Sequence, residues 1–222
     1  MLGPFFVDTM LEGANTDPYH YTMVTFSIAQ DAPIGVVCVS FNSRLSRLYT
    51  WSLLDDTFQP GQFLKARAYV QSISKDGRYF GYRAEAQHKI DQSYVAIARP
   101  GYFTALGFFP HPIFHWDQPE RIDFLTNGDI RVLSHREEIP YIVGYEQIQE
   151  RITPGCPVTI HREATNHQTI SSYEDSHQDR KIWSKKNVIY SQKGVFSKPQ
   201  VIGEFAKEPF EAIEPPEWAM RW

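Results

Sequence analysis

The sequence has few of the features that assign a function directly. It contains only two cysteines in 222 residues, too few for a disulfide framework, and we expect Cys38 and Cys156 to be thiols in a reducing compartment. No run approaches the roughly 18 apolar residues of a membrane-spanning helix. The opening residues, MLGPFFVDTMLEGA, have no basic region and contain two acids, which argues against a signal peptide. These observations predict a cytoplasmic protein.

Catalytic signatures and a basic face are also missing. There is no Gly-x-Ser-x-Gly elbow, Walker loop or Gly-x-Gly-x-x-Gly fingerprint to indicate a nucleophile or a nucleotide. The formal net charge is −4, whereas a dedicated nucleic-acid-binding protein needs a basic face for phosphates. The sequence therefore favours neither a common hydrolase class nor a nucleic-acid partner.

Aromatic residues and period-two apolar patterns are abundant and predict an all-β fold. Aromatics make up 14% of the chain, and they favour pleated, half-buried surfaces. The run IGVVCVSF, Ile34 to Phe41, is almost continuously apolar, as in a buried strand. The segment DDTFQPGQ, Asp55 to Gln62, carries acids, Pro60 and Gly61 and is expected to be a loop.

Turn signals recur at a fixed spacing. Asp76 and Asn127 are 51 residues apart, and Asn127 and Gln178 are again 51 apart. A period of about 40–50 residues is typical of radial repeats such as propeller blades. We therefore predict one β-propeller-like domain over residues 1–222, with about four antiparallel meander sheets over 22–64, 65–112, 113–163 and 164–214. An irregular β-sandwich is the alternative.

Two segments resemble an uncharacterised, largely bacterial group of β-rich proteins. The resemblance covers roughly Asp31 to Pro110. The matching residues are Asp56-Thr57-Phe58, Gly61-Gln62-Phe63, Ser74, Gly77, Tyr94, Ala96, Ile97, Arg99, Pro100 and Tyr102. A glycine-rich patch that often follows in that group is replaced here by HPIFHWDQPERIDF. The resemblance implies a propeller-like β fold and no particular chemistry.

Aromatic and basic residues are concentrated between Arg99 and Trp116. Prolines in this stretch favour loops at a rim, where side chains remain available to a partner. Such side chains stack on sugars, bases or the side chains of a partner protein. The candidate binding residues are Arg99, Tyr102, His111, His115 and Trp116.

A metal site is the second possibility in the same stretch. His111, His115 and Asp117 are residue types that bind metals, and a His-x₃-His spacing suits zinc when both histidines share a helix face. Pro110 and Pro112 disfavour a regular helix, so we predict no cofactor.

Three functional hypotheses follow. The first is a non-enzymatic interaction module that binds a protein partner and neither nucleic acid nor a membrane. The second is a metal-dependent hydrolase with its site at His111, His115 and Asp117. The third is a bacterial immunity-type protein. The sequence leaves the ligand and the oligomeric state open.

Overall fold

The part of the chain that the structure describes is built from β-sheets. The computed structural model describes residues 22–41, 45–86, 92–111, 121–125, 128–133, 151–157, 159–163, 173–175, 180–194, 196–206 and 210–222. These contain sixteen strands, a 3₁₀ helix at Glu217–Met220 and no α-helix. The all-β prediction is confirmed. Among the described residues, no helix is long and apolar enough to cross a membrane.

Sheets 1 and 2 are antiparallel meanders. Sheet 1 has the order β1-β2-β3-β4 and sheet 2 the order β11-β8-β7-β6-β5. The strands of sheet 1 are β1 (Thr22–Ile28), β2 (Ile34–Phe41), β3 (Leu45–Ser52) and β4 (Thr57–Leu64). Those of sheet 2 are β5 (Arg67–Ile73), β6 (Phe80–Ala86), β7 (Gln92–Ala98), β8 (Gly107–His111) and the later β11 (Arg151–Ile152).

Sheets 3 and 4 are formed by the second half of the chain. Sheet 3 has the order β12-β10-β9, and β10 pairs with β12 in parallel. Sheet 4 is the antiparallel meander β13-β14-β15-β16. The strands are β9 (Arg121–Phe124), β10 (Ile130–Leu133), β12 (Ile160–Glu163), β13 (Tyr173–Asp175), β14 (Arg180–Lys185), β15 (Val188–Gln192) and β16 (Gln200–Glu204). No sheet closes into a barrel over the described strands.

The turns singled out in the sequence separate the first two strands of a sheet. Asp76 lies between β5 and β6. Asn127 and Gln178 lie outside the described residues, between β9 and β10 and between β13 and β14. The closed ring of a propeller stays a prediction.

Three apolar layers join the sheets in the order 4-1-2-3. The first layer packs Phe26 and Trp51 of sheet 1 against Ile182 and Ile189 of sheet 4. The second places sheet 1 against sheet 2, and the third places sheet 2 against sheet 3. Sheets 1 and 2 therefore have apolar residues packed on both faces, as in a stack of thin sheets in which each covers its neighbour.

Strand β2 shows why its apolar run is continuous. Val36 and Cys38 pack toward sheet 2, while Val37 and Val39 pack toward sheet 4. Successive side chains of a strand point to opposite faces, so a strand buried on both sides needs an apolar residue at every position. The prediction of a buried strand is confirmed.

The prediction of a loop at Asp55 to Gln62 is wrong. Strand β4 begins at Thr57 and includes both Pro60 and Gly61. Proline is tolerated here because β4 is the last strand of sheet 1 in the described pairing, and an edge strand need not use every backbone N–H. The register shift in β3 between Arg47 and Tyr49 lies opposite this position.

Asp56 and Arg180 join sheet 4 to sheet 1. The two guanidinium nitrogens Nη1 and Nη2 of Arg180 donate to the two carboxylate oxygens of Asp56 at 2.6 and 2.7 Å. Oδ1 of Asp56 also accepts from Trp51 Nε1 at 3.1 Å. The Arg180 side chain is 3% exposed. A buried guanidinium of this kind requires its carboxylate partner.

Hydroxyl groups of sheet 1 form buried hydrogen bonds with backbone groups at the start of β5. Ser40 Oγ donates to Ala68 O at 2.6 Å, and Ser46 Oγ donates to Ala66 O at 2.8 Å. The Ala68 N–H in turn donates to Ser46 Oγ at 2.8 Å. Unpaired edge groups invite another strand, and these side chains satisfy them within the chain.

Candidate functional site

The predicted site residues Arg99 and Tyr102 contact the chain's own C-terminal residues 210–222, here called the C-terminal strap. Arg99 Nε donates to Arg221 O at 3.1 Å, and the guanidinium lies 4.3 Å from the ring centroid of Tyr79. The ring of Tyr102 meets Trp218 edge-on, with 5.3 Å between centroids. Both residues therefore hold the strap in place.

Further polar contacts fix the strap. Gln62 Nε2 donates to Ile213 O at 2.7 Å, and Trp222 Nε1 donates to Thr153 O at 2.7 Å. The Trp222 ring packs 5.5 Å from that of Tyr79. We call the area formed by Gln62, Tyr79, Arg99 and Tyr102 the strap-covered surface, because the chain itself occupies it.

The other predicted site residues are His111, His115, Trp116 and Asp117. His111 is the last residue of β8 and pairs with Ser93 of β7. His115, Trp116 and Asp117 lie outside the described residues, so the metal hypothesis stays a prediction. Where the structure describes side chains, it contains no group of three or more His, Cys, Asp or Glu residues that could hold a metal ion.

A cleft that the sequence analysis missed lies where sheets 1, 2 and 3 meet. Its volume is about 520 Å³, within the range of about 300–1,000 Å³ that small-ligand sites occupy. The walls come from the end of β1, the end of β5, β9, and Arg131 in β10. Strands β1, β5 and β9 are each the first strand of their sheet and an edge of it.

Side chains tie these three edge strands together. The Val70 N–H of β5 donates to Thr25 Oγ1 of β1 at 2.9 Å. The Ile122 N–H of β9 donates to Gln71 Oε1 of β5 at 3.1 Å, and Ser72 Oγ donates to Ile122 O. The three strands are thus fixed relative to one another without forming a continuous sheet, which leaves a concave space at their ends.

The charges of the cleft are predominantly positive. Among the described residues, Lys75, Arg121 and Arg131 line it together with one carboxylate, Asp123. Asp123 accepts from Arg121 Nε at 2.6 Å and from Arg131 Nη2 at 3.2 Å. The side chains of Arg121 and Arg131 remain 25% and 29% exposed. An anionic group would be attracted to this cleft even though the whole chain has a net charge of −4.

The cleft has a weak signature in the sequence. Its tie between Gln71 and Ile122 joins residues 51 positions apart, and the tie between Thr25 and Val70 joins residues 45 apart. These separations are close to the spacing of the predicted turns. The repeat period was thus the sequence signal that could have predicted the proximity of β1, β5 and β9.

Cys38 is not a nucleophile candidate on this geometry. Cys38 is buried, its Sγ donates to Ala68 O at 3.4 Å, and it forms no disulfide with Cys156. Burial raises the pKa of the Cys38 thiol to about 12, against opposing hydrogen bonds with Ser40 and Ser46. A thiol of this kind stays protonated near neutral pH and is a poor nucleophile.

Comparison with known proteins places the chain in no established group. No family model matches the sequence, and neither the curated proteins nor the solved structures include a match.

Proposed function

We propose that the protein is a non-enzymatic interaction module, built as a propeller-like stack of short sheets, that binds a protein partner at the cleft between sheets 1, 2 and 3. The observation that carries this proposal is the convergence of β1, β5 and β9 around that cleft. Each contributes the end of the first strand of a sheet, from a different part of the chain.

The arrangement resembles the working surface of a radial repeat. In such folds successive sheets pack face to face around a central channel, and loops at one end present the residues that bind. Here sheets 1, 2 and 3 pack in chain order, and Gln30, Lys75 and Leu125, which follow β1, β5 and β9, line the cleft. This similarity supports the propeller-like description.

A protein partner in the cytoplasm fits the remaining observations. The net charge of −4 disfavours phosphate polymers as ligands. The absence of a bond between Cys38 and Cys156 is what a reducing compartment favours. These observations favour a protein partner over a nucleic acid.

Affinity capture with two matched tryptophan variants tests the proposal. Gln30 lines the cleft and is exposed, so Gln30→Trp should block entry without disturbing the core. Gln59→Trp places the same side chain at an exposed position of β4. Proteins retained from source-cell extract by the wild type should be retained by Gln59→Trp and lost with Gln30→Trp. Equal retention by both variants, or no retention by the wild type, would contradict the proposal.

A further inference from the structure

We infer that the cleft recognises the carboxylate of an acidic segment of the partner, with Lys75, Arg121 and Arg131 as the groups that bind it. This inference rests on the proposed function and specifies the chemistry of the partner. The juxtaposition behind it is three cationic side chains and one carboxylate in a concave space formed by three edge strands.

The two arginines are held in position before a ligand arrives. Asp123 accepts from both of them, at 2.6 Å from Arg121 Nε and 3.2 Å from Arg131 Nη2. An arginine held in this way loses less side-chain entropy on binding than a mobile one. The single carboxylate neutralises one positive charge, and the cleft keeps a net positive charge for an incoming anion.

Lys75 adds a third cationic side chain to the cleft lining. It follows β5 in the turn to β6, and its backbone oxygen accepts from the Asp31 N–H at 2.8 Å, which fixes the base of its side chain. The nearby Asp76 does not line the cleft and forms an ion pair with Arg78. Asp76 therefore competes little with an incoming carboxylate for Lys75.

The walls suit a side chain better than a polymer backbone. The Val70 N–H and both polar groups of Ile122 already have partners, so an added strand has no edge groups to pair with at these positions. Ile28, Ile73 and Phe124 contribute apolar surface, which can contact the methylene groups of glutamate. The cleft of about 520 Å³ admits a few side chains and not a folded domain.

Fluorescence anisotropy with a labelled peptide of glutamates tests the inference. The wild type should bind this peptide, and the affinity should fall as salt is added because partly exposed charges are screened. A peptide of glutamines, matched in length, should bind much more weakly. No binding of the glutamate peptide at low salt, or equal binding of the two peptides, would overturn the inference.

Two charge-reversal variants locate the binding. Lys75→Glu should weaken binding of the glutamate peptide about tenfold, which is about 1.4 kcal/mol. Lys181→Glu changes the net charge equally at an exposed position of β14 and should leave the affinity unchanged. Equal loss in both variants would show that the peptide responds only to overall charge and would overturn the inference.

Further results distinguish a wrong ligand chemistry from a wrong proposed function. If inorganic phosphate displaces the peptide at concentrations where acetate does not, the cleft is selective for phosphate and the carboxylate assignment is wrong. If the glutamate peptide fails to bind while partner capture still depends on Gln30, the ligand chemistry is wrong but the proposed function stands. If capture is independent of Gln30, the proposed function itself fails.

Discussion

The cleft and the strap-covered surface both contain basic and aromatic side chains, but the chain itself fills only one of them. Arg99 donates to the backbone of Arg221 and lies over the ring of Tyr79. Its guanidinium therefore makes its contacts within the chain. Lys75 has no ion-pair partner among the described residues, and it lines an open concave surface. A concentration of binding-type residues thus indicates a site only where the fold leaves those residues uncovered.

The two surfaces also differ in how their residues are distributed along the chain. Arg99 and Tyr102 are close in sequence, and this proximity made them conspicuous. The cleft combines residues from the ends of β1, β5 and β9, which no local pattern connects. Substitutions at the strap-covered surface and at the cleft should therefore have separable effects on stability and on peptide binding.

Gly61→Ala should destabilise the protein most, by about 3 kcal/mol. Gly61 directly precedes Gln62 of the strap-covered surface, and a Cβ there would overlap the carbonyl oxygen of Gly101. That oxygen also accepts from the Gln62 N–H at 2.8 Å and cannot move away without breaking the bond. Urea denaturation measures the loss.

Gly81→Ala is the matched control beside the cleft. Its Cβ would be 2.8 Å from the Ile122 Cβ. This contact is less severe than the one at Gly61, but relieving it requires a shift of β9 against its hydrogen bonds to Gln71 and Ser72. We expect a loss of about 1–2 kcal/mol. A loss larger than that of Gly61→Ala would contradict the expectation that the contact with the Gly101 backbone is the more costly of the two.

Trp222→Ala should cost about 2 kcal/mol through lost apolar contact and the lost hydrogen bond to Thr153. Trp218→Ala should cost less, because that side chain is 56% exposed. Neither variant should change affinity for the glutamate peptide. Chemical denaturation and anisotropy on the same samples check both points, and weaker peptide binding by Trp222→Ala would place the site at the strap instead.

Ser72→Ala should cost about 1 kcal/mol, because it removes the donor to Ile122 O that ties β5 to β9. Ser197→Ala removes a hydroxyl whose bond to Gly194 O is exposed and should change stability by a few tenths of a kcal/mol. Thermal unfolding of the two variants provides the comparison. Equal effects would mean that the tie contributes nothing to the cleft wall.

Asp76→Asn should have the smallest effect, and only above acidic pH. Burial acts to raise the pKa of Asp76, but hydrogen bonds from Ser74 and Arg78 outweigh it and hold the pKa below its ordinary value. A carboxyl with a lowered folded-state pKa stabilises the fold above its unfolded pKa, and that contribution is lost as the pH falls through the folded value. Unfolding curves of wild type and variant should differ at pH 7 and converge in strong acid. A difference that persists in strong acid would assign the effect to something other than ionisation.

The sequence was sufficient for the fold class and for several elements. The continuous apolar run of β2 indicated a buried strand, and the structure packs its two faces into two different apolar layers. Pro60 and Gly61 led to the wrong prediction of a loop, because the local sequence does not show that β4 is an edge strand. Strand β8 begins only at Gly107, because Tyr102 and Phe103 before it contact the strap and Gln62.

The candidate site was less predictable because it depends on tertiary contacts. Asp56 bonds to Arg180 across two sheets, Gly61 lies against Gly101, and Gln62 donates to the strap. Their positions reflect architecture and not binding chemistry. The cationic residues of the cleft belong to no motif, and only packing of sheets 1, 2 and 3 brings them together.

Amide hydrogen exchange at Val70 and Ile122 tests most directly whether the three edge strands converge. Both N–H groups point away from their own sheets and donate to side chains of a neighbouring sheet or strand, at 2.9 Å to Thr25 Oγ1 and 3.1 Å to Gln71 Oε1. We predict slow exchange at both positions in the wild type, and fast exchange at Val70 alone in Thr25→Val. Fast exchange at both positions in the wild type would show that the strands do not meet, and the cleft would not exist as described.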